Sequence, residues 1–188
     1  MSDRSPLPVG LKKPDPGSVL VFAPHADDEV IGCGGTLALH AAQGDRVHVV
    51  VVFDGVQGIP AFDQEGNPFH DPAGVRRAEA LAGASQLGKI EYTFWGYPEG
   101  HSPVEAEIDK ASERVARCIE EYQPRTIYAP WVGEHHVDHY ALARAVRGGL
   151  AKASLASKWM GKVDAWGYEV WTVSYTHLRA HETPIHRG

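Results

Sequence analysis

Cysteine is scarce in this chain of 188 residues: only Cys33 and Cys118 are present. Two cysteines make no disulfide framework, so a reducing cytoplasm is the expected setting. Basic excess is also missing. The net charge of −6 offers no electropositive footprint for nucleic acid. No long apolar run exists either. The longest, Val47 to Phe53, contains His48 and is far too short to span a bilayer. Met1 to Gly17 has no secretory pattern; it is polar and proline-rich and reads as a flexible N-terminal tail. Internal repeats are absent. The hydrophobic share of 43% nevertheless suffices for one domain with a real core.

Within that domain, strand and helix patterns alternate. Ser18 to Phe22 reads as a short buried strand. Val30, Cys33, Leu37 and Ala41 then recur at helical spacing until Gly44-Asp45. Arg46 to Phe53 is β-branched and strand-like. Asp54 to Phe69 holds Gly, Pro and Asn without periodicity, a long loop of the sort that often carries function. Asp71-Pro72 reads as an N-cap with proline at the first helical position, and Ala78, Leu81 and Ala82 extend that helix toward Gly88. Tyr92 to Trp95 is a short strand. Ser102-Pro103-Val104-Glu105 fits a capping box. Val104, Ile108, Ala111, Val115, Ile119 and Tyr122 follow as the cleanest helical stripe. Thr126 to Ala129 gives a strand, Val137 to Leu150 a last helix, and Tyr168 to Trp171 a last strand. This order predicts an α/β fold, a mostly parallel sheet with helices on both faces.

Two of these strands empty into metal-capable residues. His25-Ala26-Asp27-Asp28-Glu29 follows the first, and His135-His136-Val137-Asp138-His139 follows the fourth. Open α/β sheets bind ligands beyond the carboxyl ends of their strands, so the two clusters suggest one site assembled from distant sequence. Zinc takes imidazole and carboxylate ligands, and catalytic zinc keeps one position open for water. His25 and Asp28 from a tight turn, with His139, make such a set. Asp27 beside it can accept a proton from water. His136, three residues before His139, can face a substrate and steady an oxyanion. Asp138 can accept a hydrogen bond from an imidazole and set its tautomer. Plainer readings stand next to these. Asp27, Asp28 and Glu29 also suit the positive end of the following helix. His135 and His139 at i, i+4 offer an alternative metal pair. Gly32, Gly34 and Gly35 lack the G-x-G-x-x-G phosphate pattern and suit close helix–strand packing.

The C-terminus differs from the rest. Val173 to Thr183 match, in one reading frame, the translation of a transposon-derived sequencing adaptor. Residues 173–188 are therefore expected to be a non-native tail, with residues 18–172 an incomplete domain truncated at its C-terminus. His177, His181 and His186 are set aside with that tail.

The motifs together resemble a known family. Pro24-His25-Ala26-Asp27-Asp28-Glu29, the trailing Gly32-Cys33-Gly34-Gly35-Thr36, and His136-Val137-Asp138-His139 are similar to the LmbE/PIG-L zinc-dependent N-deacetylases. Arg76-Arg77-Ala78-Glu79 is similar to the family's R-x-x-E. Gly96-Tyr97-Pro98-Glu99-Gly100 stands where the family often has Asp for Glu99. The resemblance implies a Rossmann-like sheet, zinc on His25, Asp28 and His139, Asp27 as general base, and His136 on the oxyanion with Asp138 behind it. It implies a substrate pocket shaped by Arg76 and Glu79, which at i, i+3 also suit a structural ion pair. Phe62, Phe69, Trp95 and Tyr97 suit stacking on a sugar ring or core packing. Ala26 and Val137 replace prolines usual in the family, which implies looser turns there.

The expected activity is removal of an N-acyl group, most simply acetyl, from an amino sugar or sugar conjugate in the cytoplasm. No nucleic acid or membrane partner is expected, and a homo-oligomer is only a general prior. Two other outcomes remain: a magnesium-binding receiver-like domain with Asp54 as phospho-acceptor, or an inactive truncated fragment. Three histidines favour zinc over magnesium, which prefers oxygen ligands.

Overall fold

A computed structural model describes residues 13–62, 65–68, 70–100, 104–156 and 163–171, with the backbone of 183–186. The valine-rich runs form strands β1 (Val19–Ala23) and β2 (Val47–Phe53), nearly every residue of which is buried. With β3 (Ile90–Tyr97), β4 (Thr126–Pro130), β5 (Asp164–Tyr168) and β6 (Thr183–His186) they make one sheet of order β3-β2-β1-β4-β5-β6. All pairings are parallel except β5 with β6, which is antiparallel. The α/β expectation holds. Among the described residues four α-helices cover the sheet: α1 (Asp28–Ala42), α2 (Pro72–Leu87), α3 (Glu105–Tyr122) and α4 (Val137–Ala156).

Alternate residues along the strands feed two cores, as the period of two requires. Leu20, Phe22, Val50, Val52, Ile127 and Ala129 join Val115 and Ile119 of α3 and Leu142 and Val146 of α4. Val19, Val21, Val47, Val49, Val51 and Tyr128 join Cys33 and Leu37 of α1 and Ala80 of α2. Helices therefore lie on both faces. Helices α3 and α4 approach closely because small residues line the crossing. A Cβ on Gly149 would sit 2.3 Å from Val115, and one on Gly148 would sit 2.5 Å from Ser112.

Several local expectations shift. Helix α2 does start at Asp71, whose carboxylate accepts the Gly74 N–H at 2.8 Å. It buries Ala80 and Ala84, however, and leaves Leu81 exposed. Helix α3 is capped two residues later than the Ser102 box: Val104 is the N-cap, and the Glu107 carboxylate accepts its N–H at 2.9 Å. Ser102 and Pro103 lie outside the described residues. Strand β5 ends where a strand from Tyr168 to Trp171 was expected to begin. Residues Thr183–His186, expected to be foreign to the fold, pair with β5 at the edge of the sheet. Pro14 to Gly17 dock before the central strand β1: Gln43 donates to the Pro14 carbonyl (3.3 Å), and the Asp45 carboxylate accepts from Gly17 N–H (2.8 Å) and contacts the buried His40 ring (2.6 Å). Neither Cys33 nor Cys118 is in a disulfide. Among the described residues no helix is long and apolar enough to cross a membrane.

The glycines after the acidic cluster are not equivalent. A Cβ on Gly32 would lie 2.2 Å from the Tyr168 ring, whereas one on Gly35 would meet nothing within 4 Å. Tyr168 cannot yield, because it is 1% exposed and its hydroxyl donates to the Phe22 carbonyl at 2.9 Å. Gly32→Ala is therefore expected to lose about 1–3 kcal/mol by overpacking, and Gly35→Ala to gain up to about 1 kcal/mol from helix propensity. Urea titration of both variants checks this; equal effects would refute the packing account of Gly32.

Candidate metal centre

The order of strands reverses at β1: β2 and β3 lie to one side, β4 and β5 to the other. Chains leaving β1 and β4 then diverge to opposite faces and leave a crevice between them. His25 and Asp28 come from the first chain, His136, Asp138 and His139 from the second.

One ligand atom each from His25, Asp28 and His139 lies within 4.8 Å of the others. His25 Nδ1 and His139 Nε2 both stand 3.1 Å from Asp28 Oδ2. Asp28 Oδ2 also accepts the His25 backbone N–H at 2.9 Å. That bond closes the His25–Asp28 turn without a proline at Ala26. Both nitrogens of His139 are buried, and apart from the Nε2 contact with Asp28 neither meets a hydrogen-bond partner. Buried polar atoms are rarely left so, and borderline nitrogen with one carboxylate is a donor set suited to zinc. The residues fit the ion. His135 is exposed and belongs to no such group. A second, overlapping group, His25, His136 and Asp138, is also within 4.8 Å, but within it the Asp138 carboxylate is already bonded to His25 Nε2.

That engagement revises one expectation. The Asp138 carboxylate sits 3.0 Å from His25 Nε2 and 3.9 Å from His136 Nδ1, and accepts the Gly100 N–H at 3.0 Å. Its side chain backs His25, not His136. Its backbone N–H instead donates to His136 Nδ1 at 3.3 Å. This bond makes Nδ1 an acceptor and leaves the His136 proton on Nε2. His136 is half-buried beside Trp171, whose ring stacks on it at 6.1 Å and 13°.

Asp27 projects differently. Its carboxylate accepts from Arg76 at 3.0 Å, and the same guanidinium reaches Glu79 at 3.0 Å. Arg76 thus serves both Asp27 and the i, i+3 pair. A cavity of about 210 Å³ opens beside it, lined by Ala26, Phe53, Asp54 and Arg77. Trp95 and Tyr97 of β3 lie elsewhere. Trp95 packs edge-on against Phe22 (6.1 Å) with the Arg114 guanidinium 4.3 Å over its face. Tyr97 lines a separate apolar cleft of about 290 Å³ with Ile108, Ala111, Leu142 and Ala145. Their packing role wins over stacking at the cluster. Phe62 is exposed, and Phe69 lies outside the described residues. Sequence reasoning passed over Glu134 and Trp171. Neither sits in a motif; their partners are far away in sequence.

Protonation follows from burial and neighbours. Burial works against a charged His25, but hydrogen bonds to Asp138 and Asp28 outweigh it and raise its pKa to about 9. Burial likewise opposes ionised Asp28, yet His139 and His25 hold its carboxyl well below the usual range. For Asp138 burial is outweighed by His25 and the Gly100 N–H, and its pKa falls. Burial, then the nearby His139 and His25, lower His136. Burial pushes Glu29 up to about 7 against the hydrogen bond from Tyr92.

The fold and the cluster together define an α/β protein with a metal-capable centre at the carboxyl edge of its sheet. The family described as PIG-L: GlcNAc-PI de-N-acetylase matches residues 20–148, and the chain belongs to that family. The receiver-like alternative at Asp54 falls away with this membership. A 1D-myo-inositol 2-acetamido-2-deoxy-alpha-D-glucopyranoside deacetylase of Streptomyces scabiei is 31% identical over 160 residues, 74% of this chain and 49% of that protein. A deacetylase of the same description from Catenulispora acidiphila is 29% identical, over 80% of this chain and 55% of that protein. The chain thus spans about half the length of these relatives. Among solved structures, the N,N'-diacetylchitobiose deacetylase of Pyrococcus horikoshii is similar with a TM-score of 0.65 and 26% identity, covering 85% of this chain and 61% of that one. The 4-carboxy-2-hydroxymuconate hydratase of Pseudomonas putida is similar with a TM-score of 0.65 and 25% identity, covering 80% and 65%.

Glu29 and His25 bind protons more tightly in the folded chain than in the unfolded one. Without metal, stability should therefore fall as pH rises, through Glu29 between about 4.5 and 7 and through His25 between about 6.5 and 9. Asp28 and Asp138 act oppositely and cost stability as pH falls below the usual carboxylate range. Glu29→Gln keeps an acceptor for Tyr92 and carries no charge. Its melting temperature, measured in chelator, should be flatter across the lower window than the parent's. Parallel curves would show that Glu29 does not titrate there.

Proposed function

We propose that this chain is a zinc-dependent amide hydrolase that removes an acetyl group from the nitrogen of an amino sugar or its conjugate. One observation carries the proposal: His25, Asp28 and His139 converge from two distant loops, with Asp27 and His136 flanking them. The names of the relatives, deacetylases of an acetamido sugar on inositol and of diacetylchitobiose, support the substrate class. His25, Asp28 and His139 would hold the zinc, which supplies a Lewis acid and makes water reactive near neutral pH.

The chain's own groups do the rest. Asp27, held by Arg76, takes the proton of the attacking water as its oxygen bonds the carbonyl carbon. His136 donates its Nε2–H to the oxyanion that forms. The C–N bond then breaks, and the proton on Asp27 passes to the departing amine. Arg76, Arg77 and Asp54 around the adjoining cavity offer polar contacts for sugar hydroxyls. A reducing cytoplasm, compatible with the thiols of Cys33 and Cys118, is part of the same proposal.

Asp27→Asn tests the central assignment. Zinc content should be unchanged, while acetate release from N-acetylglucosaminyl-inositol or N,N'-diacetylchitobiose should fall by about 10²–10⁴-fold. Full activity in the variant would remove Asp27 from the base role. An unmodified, zinc-loaded chain that releases no acetate from either sugar would overturn the substrate class.

A further inference from the structure

We infer, building on the proposed metal site, that Glu134 is a positioning residue: it accepts the outer N–H of the ligand His139 and couples that ligand to residues 170–171. Glu134 lies in the turn between β4 and α4, and its side chain is fully buried. A buried carboxylate must be compensated by donors. Two are backbone groups: Val170 N–H donates to Oε1 at 2.5 Å and Trp171 N–H to Oε2 at 3.1 Å. The same Oε2 faces His139 Nδ1 at 4.0 Å.

His139 Nδ1 is buried and has no hydrogen bond. An imidazole that gives its Nε2 lone pair to a metal carries its proton on Nδ1, and that proton needs an acceptor. Glu134 Oε2 is the carboxylate oxygen facing it. The gap is about 1 Å beyond a hydrogen bond, and a small turn of the His139 ring toward Glu134 closes it. The two backbone donors keep the carboxylate from swinging away. The two histidine ligands are then treated alike. His25 has Asp138 on its outer nitrogen at 3.0 Å, and His139 has Glu134.

The second consequence concerns the chain after β5. By taking the N–H groups of Val170 and Trp171, Glu134 ends the strand and holds Trp171 where its ring lies against His136. One buried carboxylate thus ties a metal ligand to the wall over the proposed oxyanion donor.

Glu134→Gln in the full chain separates this role from simple packing. An amide nitrogen in place of Oε2 takes the acceptor from both Trp171 and His139, and in place of Oε1 it takes that of Val170, so at least one facing N–H group loses its acceptor. Zinc affinity, read by competition with a chromophoric chelator, should weaken about 10–100-fold, and Glu134→Asp should restore part of it. A purely structural role would lower the melting temperature of the metal-free chain and leave affinity unchanged. ¹⁵N–¹H NMR of the zinc-loaded, unsubstituted chain adds a reading that needs no variant. His139 should show a slowly exchanging Nδ1–H; a proton on Nε2 would overturn the inference. A Gln variant that binds zinc within twofold of the parent overturns it as well, and leaves the hydrolase proposal standing. A parent that binds no zinc overturns both. A parent that binds zinc tightly, loses it in the Gln variant and releases no acetate supports Glu134 while sinking the deacetylase reading.

Discussion

The parallel pairing of β1 with β4 is the constraint on which the site depends. Val19, Leu20 and Val21 register with Thr126, Ile127 and Tyr128, so both strands end at the same edge. Alternation sends Leu20, Phe22, Ile127 and Ala129 to one core and Val19, Val21 and Tyr128 to the other. A slip of one residue would invert every one of these side chains. The register is therefore fixed by burial on both faces. Because it is fixed, the turn at His25 and the first turn of α4 meet over the crevice. Asp28 can then stand 3.1 Å from histidines 3 and 111 positions away in the chain.

What gathers at that edge is costly to bury. Asp28, Asp138 and Glu134 are each 5% exposed or less at the side chain. Each is compensated by imidazole or by backbone N–H, and the donors come from separate loops: Gly100 before α3, and Val170 and Trp171 after β5. Glu99 adds a further link. Its carboxylate reaches His25 Nε2 at 3.4 Å and accepts the Gln57 backbone N–H. The loop after β2 is joined in this way to the loop after β3. Charges that would be expensive in isolation hold the rim of the site together.

The local motifs were legible because they are short and their chemistry is explicit. The His25–Asp28 turn, the Asp71-Pro72 cap and the stripe on α3 each lie within one turn or one helix. The misses have a common physical origin in partners distant along the chain. Tyr168-Glu169-Val170-Trp171 looks strand-like by composition, yet the N–H groups of 170 and 171 go to Glu134 rather than to a neighbouring strand. Asp138 stands beside His136 in sequence, but its carboxylate reaches His25, 113 residues away. Helix α2 has apolar residues around much of its surface. The small Ala80 and Ala84 face the sheet, and no hydrophobic stripe announces them. Trp95 carries an aromatic face in the sequence, but Arg114 covers it.

The acidic run itself admitted two explanations, and geometry decides between them. As a capping device, Asp27 would accept from an N–H of the first turn of α1. It makes no such bond; its carboxylate goes to Arg76. Asp28, inside the helix, turns back to the His25 N–H and the two imidazoles. The positive end of α1 still favours both charges, so the helix stabilises the anions without using them as caps. Asp27 then differs from the other acids of the cluster in one respect. At 48% its side chain is exposed, whereas Asp28, Asp138 and Glu134 are enclosed. Its carboxylate is fixed by a guanidinium and open to water, beside acids that are neither. That accessibility suits Asp27 to the base role proposed for it, and enclosure suits Asp28 to the proposed metal.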